Sequence, residues 1–118
     1  MKKIKLLGLL IMFIGFFNQA SAQSTSYVGN WESTGPVAAY NGQTLRLQIA
    51  STADPDVFII VNEDTPKMKY TGKHDYPSGR LFMNYKKKML YFIYVPSTDM
   101  LEGYNAQNDV KIADFVRY

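Results

Sequence analysis

The chain has 118 residues, no cysteine, one histidine and a formal net charge of +3. The absence of Cys excludes a disulfide staple, a lipid-modified cysteine and a cysteine nucleophile, and a single His excludes a two-histidine metal site. Three of the basic residues fall in the first five positions; without them the ten remaining Lys and Arg balance the ten Asp and Glu, so no global basic field draws nucleic acid to the protein.

Lys2, Lys3 and Lys5, the uncharged apolar residues 6–17 and the small-residue site Ala20-Ser21-Ala22 together predict a signal peptide over residues 1–22. The apolar run is 12 residues long, short of the roughly 20 that a membrane-spanning helix needs. The expectation is therefore a cleaved leader, a periplasmic or secreted product with no transmembrane segment after cleavage, and one domain over 23–118. Export without cysteine fits a bacterial envelope better than a eukaryotic extracellular space, where small scaffolds lean on disulfides.

After a polar stretch, residues 27–33 read as a first strand carrying the only tryptophan, Trp31. Residues 37–40 and 44–50 are expected as strands flanking Asn41-Gly42, a hairpin signal because both residues tolerate positive φ. Leu45, Leu47 and Ile49 alternate with Arg46 and Gln48, the period of a half-buried strand. Further strands are expected at 57–62, 67–73, 80–86, 89–95, 100–105 and 110–118. Turn residues punctuate them: Asp54-Pro55-Asp56, Pro66, Pro77-Ser78-Gly79, a tip at residues 86–88, Pro96 and Asn108-Asp109.

Strands at this spacing with short connections predict an all-β fold, a compact antiparallel up-and-down meander of about eight strands that rolls into a barrel to remove its edges. No part of the chain after the leader has a sustained helical period.

Gly29-Asn30-Trp31 in the first strand and Arg117 in the last, with a meander between them behind a signal peptide, make the chain resemble the lipocalin-like (calycin) β-barrels, in particular the small exported ones of Gram-negative bacteria. The resemblance implies that Trp31 and Arg117 form a structural pair closing one end of the barrel, the guanidinium lying across the indole, a contact of about 0.5–2 kcal/mol. The chain is shorter than a typical lipocalin and lacks that family's C-terminal helix and disulfide.

Chemistry-bearing motifs are few. His74 beside Asp75 reads as a solvated turn residue, Asp54 and Asp56 as turn chemistry, and no Gly-x-Ser-x-Gly elbow occurs. The expectation is a non-enzyme with no metal and no cofactor. Lys67, Lys69, Lys73, Arg80, Lys86, Lys87 and Lys88 face only Asp75 between positions 66 and 88; such lysines either protect strand edges or form a patch for an anionic head group or acidic partner.

Strand 89–95 is apolar on both faces, as is 57–62. Its second face packs under the N-terminal segment, forms an interface, or marks a local reversal of inside and outside. Two functions are consistent with this. The first is a binding module for a small apolar or amphipathic ligand, lined by Leu45 and Leu47, Ile59, Tyr70, Met83 and Tyr85, and Tyr91 and Ile93. The second is a protein-interaction or inhibitor-type barrel with a filled core that uses Phe58, Phe82, Phe92 and Tyr94. A continuous interior cavity of about 300 Å³ or more marks the first.

Overall fold

The structure is a computed structural model, described here for residues 25–118; the leader assigned to 1–22 lies outside the described residues. Eight strands follow one another around a closed antiparallel barrel: β1 (Gly29–Ser33), β2 (Arg46–Ser51), β3 (Val57–Asn62), β4 (Lys69–Asp75), β5 (Arg80–Tyr85), β6 (Lys88–Val95), β7 (Met100–Asn105) and β8 (Val110–Arg117). Every neighbour in sequence is a neighbour in space, as the short connections require. The expected up-and-down barrel is thus the observed one.

Closure comes from β1 pairing with β8 in the register Trp31↔Arg117, Glu32↔Val116 and Ser33↔Phe115. The turns are built by residues at positive φ: Gly79 at 71°, Lys86 and Lys87 at 44° and 68°, Asp99 at 51° and Asp109 at 56°. Asp and Gly tolerate this region, and the reversal at each turn keeps the right-handed twist of the flanking strands. The segment expected as a strand over 37–40 is instead a short 3-10 turn, Ala38–Tyr40. Asn41 and Gly42 do reverse the chain, at φ 55° and 69°, but only Val37 and Gln43 bridge across them, so the loop folds over the barrel end.

Period two decides the interior. Phe58, Ile60 and Asn62 of β3, and Leu81 and Met83 of β5, are buried, while their chain neighbours are half-buried or exposed. Trp31, Leu47, Ile49, Phe92, Leu101 and Phe115 complete the core; burial stabilises each such side chain by about 1.5–3 kcal/mol. Two inward-facing glycines make room for large neighbours. A Cβ on Gly72 would meet Ile60 Cδ1 at 3.0 Å, and one on Gly103 would meet Phe115 Cε2 at 3.2 Å. Phe92 and Phe115 meet edge to face at 6.0 Å beside Gly103.

Candidate functional site

The two ends of the barrel differ. At the end where β1 begins, Arg117 Cζ lies 4.2 Å from the centroid of the Trp31 ring. Its Nη1 and Nη2 donate to the carbonyls of Val28 and Ser26 at 2.8 and 2.6 Å, and its Nε donates to the Asp99 carboxylate at 2.9 Å. Gly29 sits at φ +146°, and a Cβ there would come within 2.5 Å of Arg117 Nη1, so glycine is what lets the guanidinium reach across the indole. Trp31 Nε1 donates to the Tyr27 carbonyl at 2.9 Å.

Tyr27 is the second half of this plug and is fully buried. Its Oη lies 2.7 Å from the Gly79 carbonyl and 3.0 Å from that of Phe92, and it accepts from the Tyr94 N–H at 3.2 Å. Burial pushes its pKa up to about 12, against the opposing pull of the Tyr94 N–H, so the hydroxyl stays protonated. Residues before β1 are thereby tied to the β4–β5 turn and to β6, and the end is sealed.

The opposite end is open. There the 3-10 turn and the turns β3–β4, β5–β6 and β7–β8 surround a cavity of about 180 Å³. Its floor is apolar, made by Leu47, Ile60, Met83, Leu90 and Phe92, and Leu45 and Ile112 add to the walls. Tyr70 and Tyr85, with rings 5.3 Å apart, stand together on one side. Val37, Ala39 and Tyr40 of the folded-over loop cover part of the top. Besides the tyrosine hydroxyls, the polar groups of the lining are strand-end residues at the rim: Asn62, the last residue of β3, Asn105, the last of β7, and Lys88, the first of β6. Asn62 Nδ2 donates to Tyr40 Oη at 3.1 Å, and that hydroxyl donates to Asp64 Oδ2 at 3.0 Å. Since Asn62 Oδ1 also accepts from the Asp64 N–H at 3.0 Å, the rim is preorganised.

The cavity falls short of the roughly 300 Å³ expected above of a ligand carrier, because the aromatic and leucine side chains of the lower core fill the rest of the interior. An engineered apolar cavity of about 150 Å³ takes one benzene molecule, so this one suits a ligand portion of about six to eight heavy atoms.

Of the residues expected to line a ligand site, Leu45, Leu47, Tyr70, Met83 and Tyr85 come together around the cavity. Ile59, Tyr91 and Ile93 do not; they face outward. The four residues expected as a partner surface do not gather either. Phe58 and Phe92 lie in the core, and Tyr94 packs inward against Tyr27 and Trp31 while its hydroxyl donates to Asp99. Only Phe82 stays on the outer face.

The parity error on β6 has one cause. A tip of three lysines, 86–88, would put Met89, Tyr91 and Ile93 inside. The turn contains two residues, so Tyr85 pairs with Lys88, Met83 with Leu90 and Leu81 with Phe92. Shifting a register by one residue exchanges the two faces of a strand. The missed lining residues Leu90 and Phe92 were therefore legible from a two-residue hairpin; Asn62, Asn105 and the folded-over loop had no comparable signal.

On the outer face of β6, Met89 is exposed but Tyr91 is covered within the chain. Tyr91 is only 3% exposed, stacked on Tyr104 at 5.1 Å and 14°, with Phe82 at 5.6 Å and the Arg80 guanidinium 4.5 Å from its ring centroid. Its hydroxyl donates to Asp109 Oδ1 at 2.7 Å.

His74 is not a solvated turn residue. It lies in β4 at 8% exposure, away from the cavity, between Tyr27 and Tyr76 with ring centroids at 5.9 and 5.0 Å. Neither ring nitrogen has a hydrogen-bond partner, and the nearby Asp56 Oδ1 has none either. Burial lowers its pKa, against the charges of Asp56 and Asp75. Among the described residues no group of three or more His, Cys, Asp or Glu is placed to hold a metal ion, and no helix there is long and apolar enough to cross a membrane.

No family model, curated protein or solved structure matches this chain. The fold and the site rest on its own geometry.

Proposed function

We propose that this chain is an exported binding module of the lipocalin-like kind, of Gram-negative origin, that holds a small apolar or amphipathic molecule in the open end of its barrel and performs no chemistry on it. One observation carries the reading: an apolar cavity of about 180 Å³ opens at one end of the barrel beneath a polar rim, while the other end is plugged. A pocket with an apolar floor and a few convergent polar groups at its edge is the usual form of a small-molecule site. Within it, the ligand's apolar part lies against Leu47, Ile60, Met83 and Phe92, and its polar end meets the rim.

The leader, localisation and family membership belong to this proposal; the sequence pattern at residues 1–22 and the barrel with its Trp31–Arg117 closure support them. The alternative of a partner-binding barrel has weaker support, since the Phe82–Tyr91–Tyr104 cluster already satisfies itself within one chain.

Native mass spectrometry of the protein purified from its host tests the reading directly: a bound small molecule is expected, and a bare mass counts against it. In a companion experiment Met83→Trp, which fills much of the cavity floor, is expected to weaken binding of that molecule at least tenfold. Unchanged affinity in a folded Met83→Trp protein would move the ligand elsewhere.

A further inference from the structure

The basic residues between positions 66 and 88, adjacent in sequence, are sorted by the fold into two groups. Lys73 and Arg80 go to the plugged end, on β4 and β5 beside the β4–β5 turn. Lys67 and Lys69, in and after the β3–β4 turn, and Lys86, Lys87 and Lys88, in and after the β5–β6 turn, go to the open end, on neighbouring hairpins. Lys88 lines the cavity itself, and Lys86 Nζ lies 5.4 Å from the centroid of the Tyr85 ring, another lining residue.

The acids near this end, Glu63, Asp64 and Asp109, keep their charge but are oriented by neutral donors rather than by the lysines. Asp64 accepts from Tyr40, Asp109 from Tyr91, and Glu63 from Gln48. Among the described residues the ion pairs are Arg46–Glu32, Lys111 with Glu102 and Asp114, and Arg117–Asp99, so the mouth lysines have no carboxylate partner. The turn that carries them also holds Lys86 and Lys87 at φ 44° and 68°, a conformation that disfavours any residue with a side chain beyond Asn or Asp. Asn-Gly would make the same turn without strain, so the choice of two lysines favours charge at this position over local stability.

From this arrangement we infer that the ligand is an anionic amphiphile, a carboxylate or other monoanion on a short apolar chain or ring, whose head is held at the mouth by Lys86 and Lys88 while its tail fills the cavity. The inference rests on the binding-module reading and assigns its ligand class. Ammonium groups beside an apolar pocket attract an anion more strongly than a neutral polar head, by a margin that salt reduces.

Three ligands of eight carbons each separate the possibilities: octanoate, 1-octanol and octylammonium, titrated calorimetrically into the purified protein at about 10 mM ionic strength. Octanoate is expected to bind at least tenfold more tightly than 1-octanol, and octylammonium more weakly than either. The octanoate advantage should shrink several-fold at 0.5 M salt, and in the double variant Lys86→Gln/Lys88→Gln the affinity for octanoate should converge on that for 1-octanol. Equal binding of octanoate and 1-octanol overturns the anionic assignment, and an advantage that survives in the double variant overturns the placing of the head on Lys86 and Lys88; both leave the pocket standing. Failure of all three to bind overturns the pocket reading as well.

Discussion

Tyr27→Phe is the sharpest probe of how the plugged end is held. The substitution keeps the ring between His74 and Tyr94 and removes one oxygen, which touches the buried Phe92 carbonyl and the part-buried Gly79 carbonyl and accepts from the Tyr94 N–H. The carbonyls retain a second lone pair for other donors, whereas the Tyr94 N–H loses the acceptor that Oη supplies. Leaving one buried polar group unpaired costs about 1–3 kcal/mol, and the loss of the hydroxyl's own bonds puts the expected value near 2 kcal/mol. For a domain of this size, whose total stability is about 5–14 kcal/mol, that corresponds to a fall in Tm of roughly 8–16 °C. Urea unfolding followed by the fluorescence of Trp31 gives the free energy, and hydrogen exchange at the Tyr94 amide gives the local effect. A loss below about 0.5 kcal/mol, typical of exposed sites, with unchanged exchange at Tyr94, would refute the account of the plug.

Gly29→Ala should displace Arg117 from the indole and cost about 1–3 kcal/mol through its positive φ and the close approach to the guanidinium; urea titration beside Arg117→Ala checks this, since little further loss is expected when the two are combined. Burial holds the folded pKa of His74 below its free value near 6.5. The unfolded chain binds its proton first as pH falls, so His74 contributes nothing above that pH and lowers stability progressively from about 6.5 down to the folded pKa. The slope in that window should flatten in His74→Leu, measured by urea midpoints between pH 7.5 and 5. Replacing Lys86 and Lys87 by Asn and Gly relieves the left-handed strain of the β5–β6 turn and should stabilise the protein by about 1–2 kcal/mol, read as a rise in urea midpoint. An unchanged midpoint would mean that the lysines sit in that turn without strain.

Strand positions, their order and the closed meander were legible along the chain because turn chemistry is local: Gly79, Asp99 and Asp109 reverse the backbone where they stand, and short connections leave consecutive strands little choice but to pair. The Trp31–Arg117 closure was legible through a resemblance carried by residues at the two ends of the domain. Parity was not. On β3 and β6 both faces are apolar, so alternation alone gives no sign of which side is dry, and a tip counted as three residues instead of two exchanged Tyr91 and Ile93 for Leu90 and Phe92.

The sequence by itself determined that this is an all-β chain and, to within about two residues, where its eight barrel strands lie, since period-two patterning and turn residues act within a few positions; the segment 37–40, expected as a further strand, is a 3-10 turn instead. Only the tertiary structure decided what the side chains face. Closing the barrel buries His74, fills the lower interior with Phe58, Phe92 and Phe115, and leaves an opening of about 180 Å³ at the other end. Interior volume and the charge around a mouth depend on which residues from different strands converge, and that is set by register across hydrogen-bonded neighbours rather than by order along the chain.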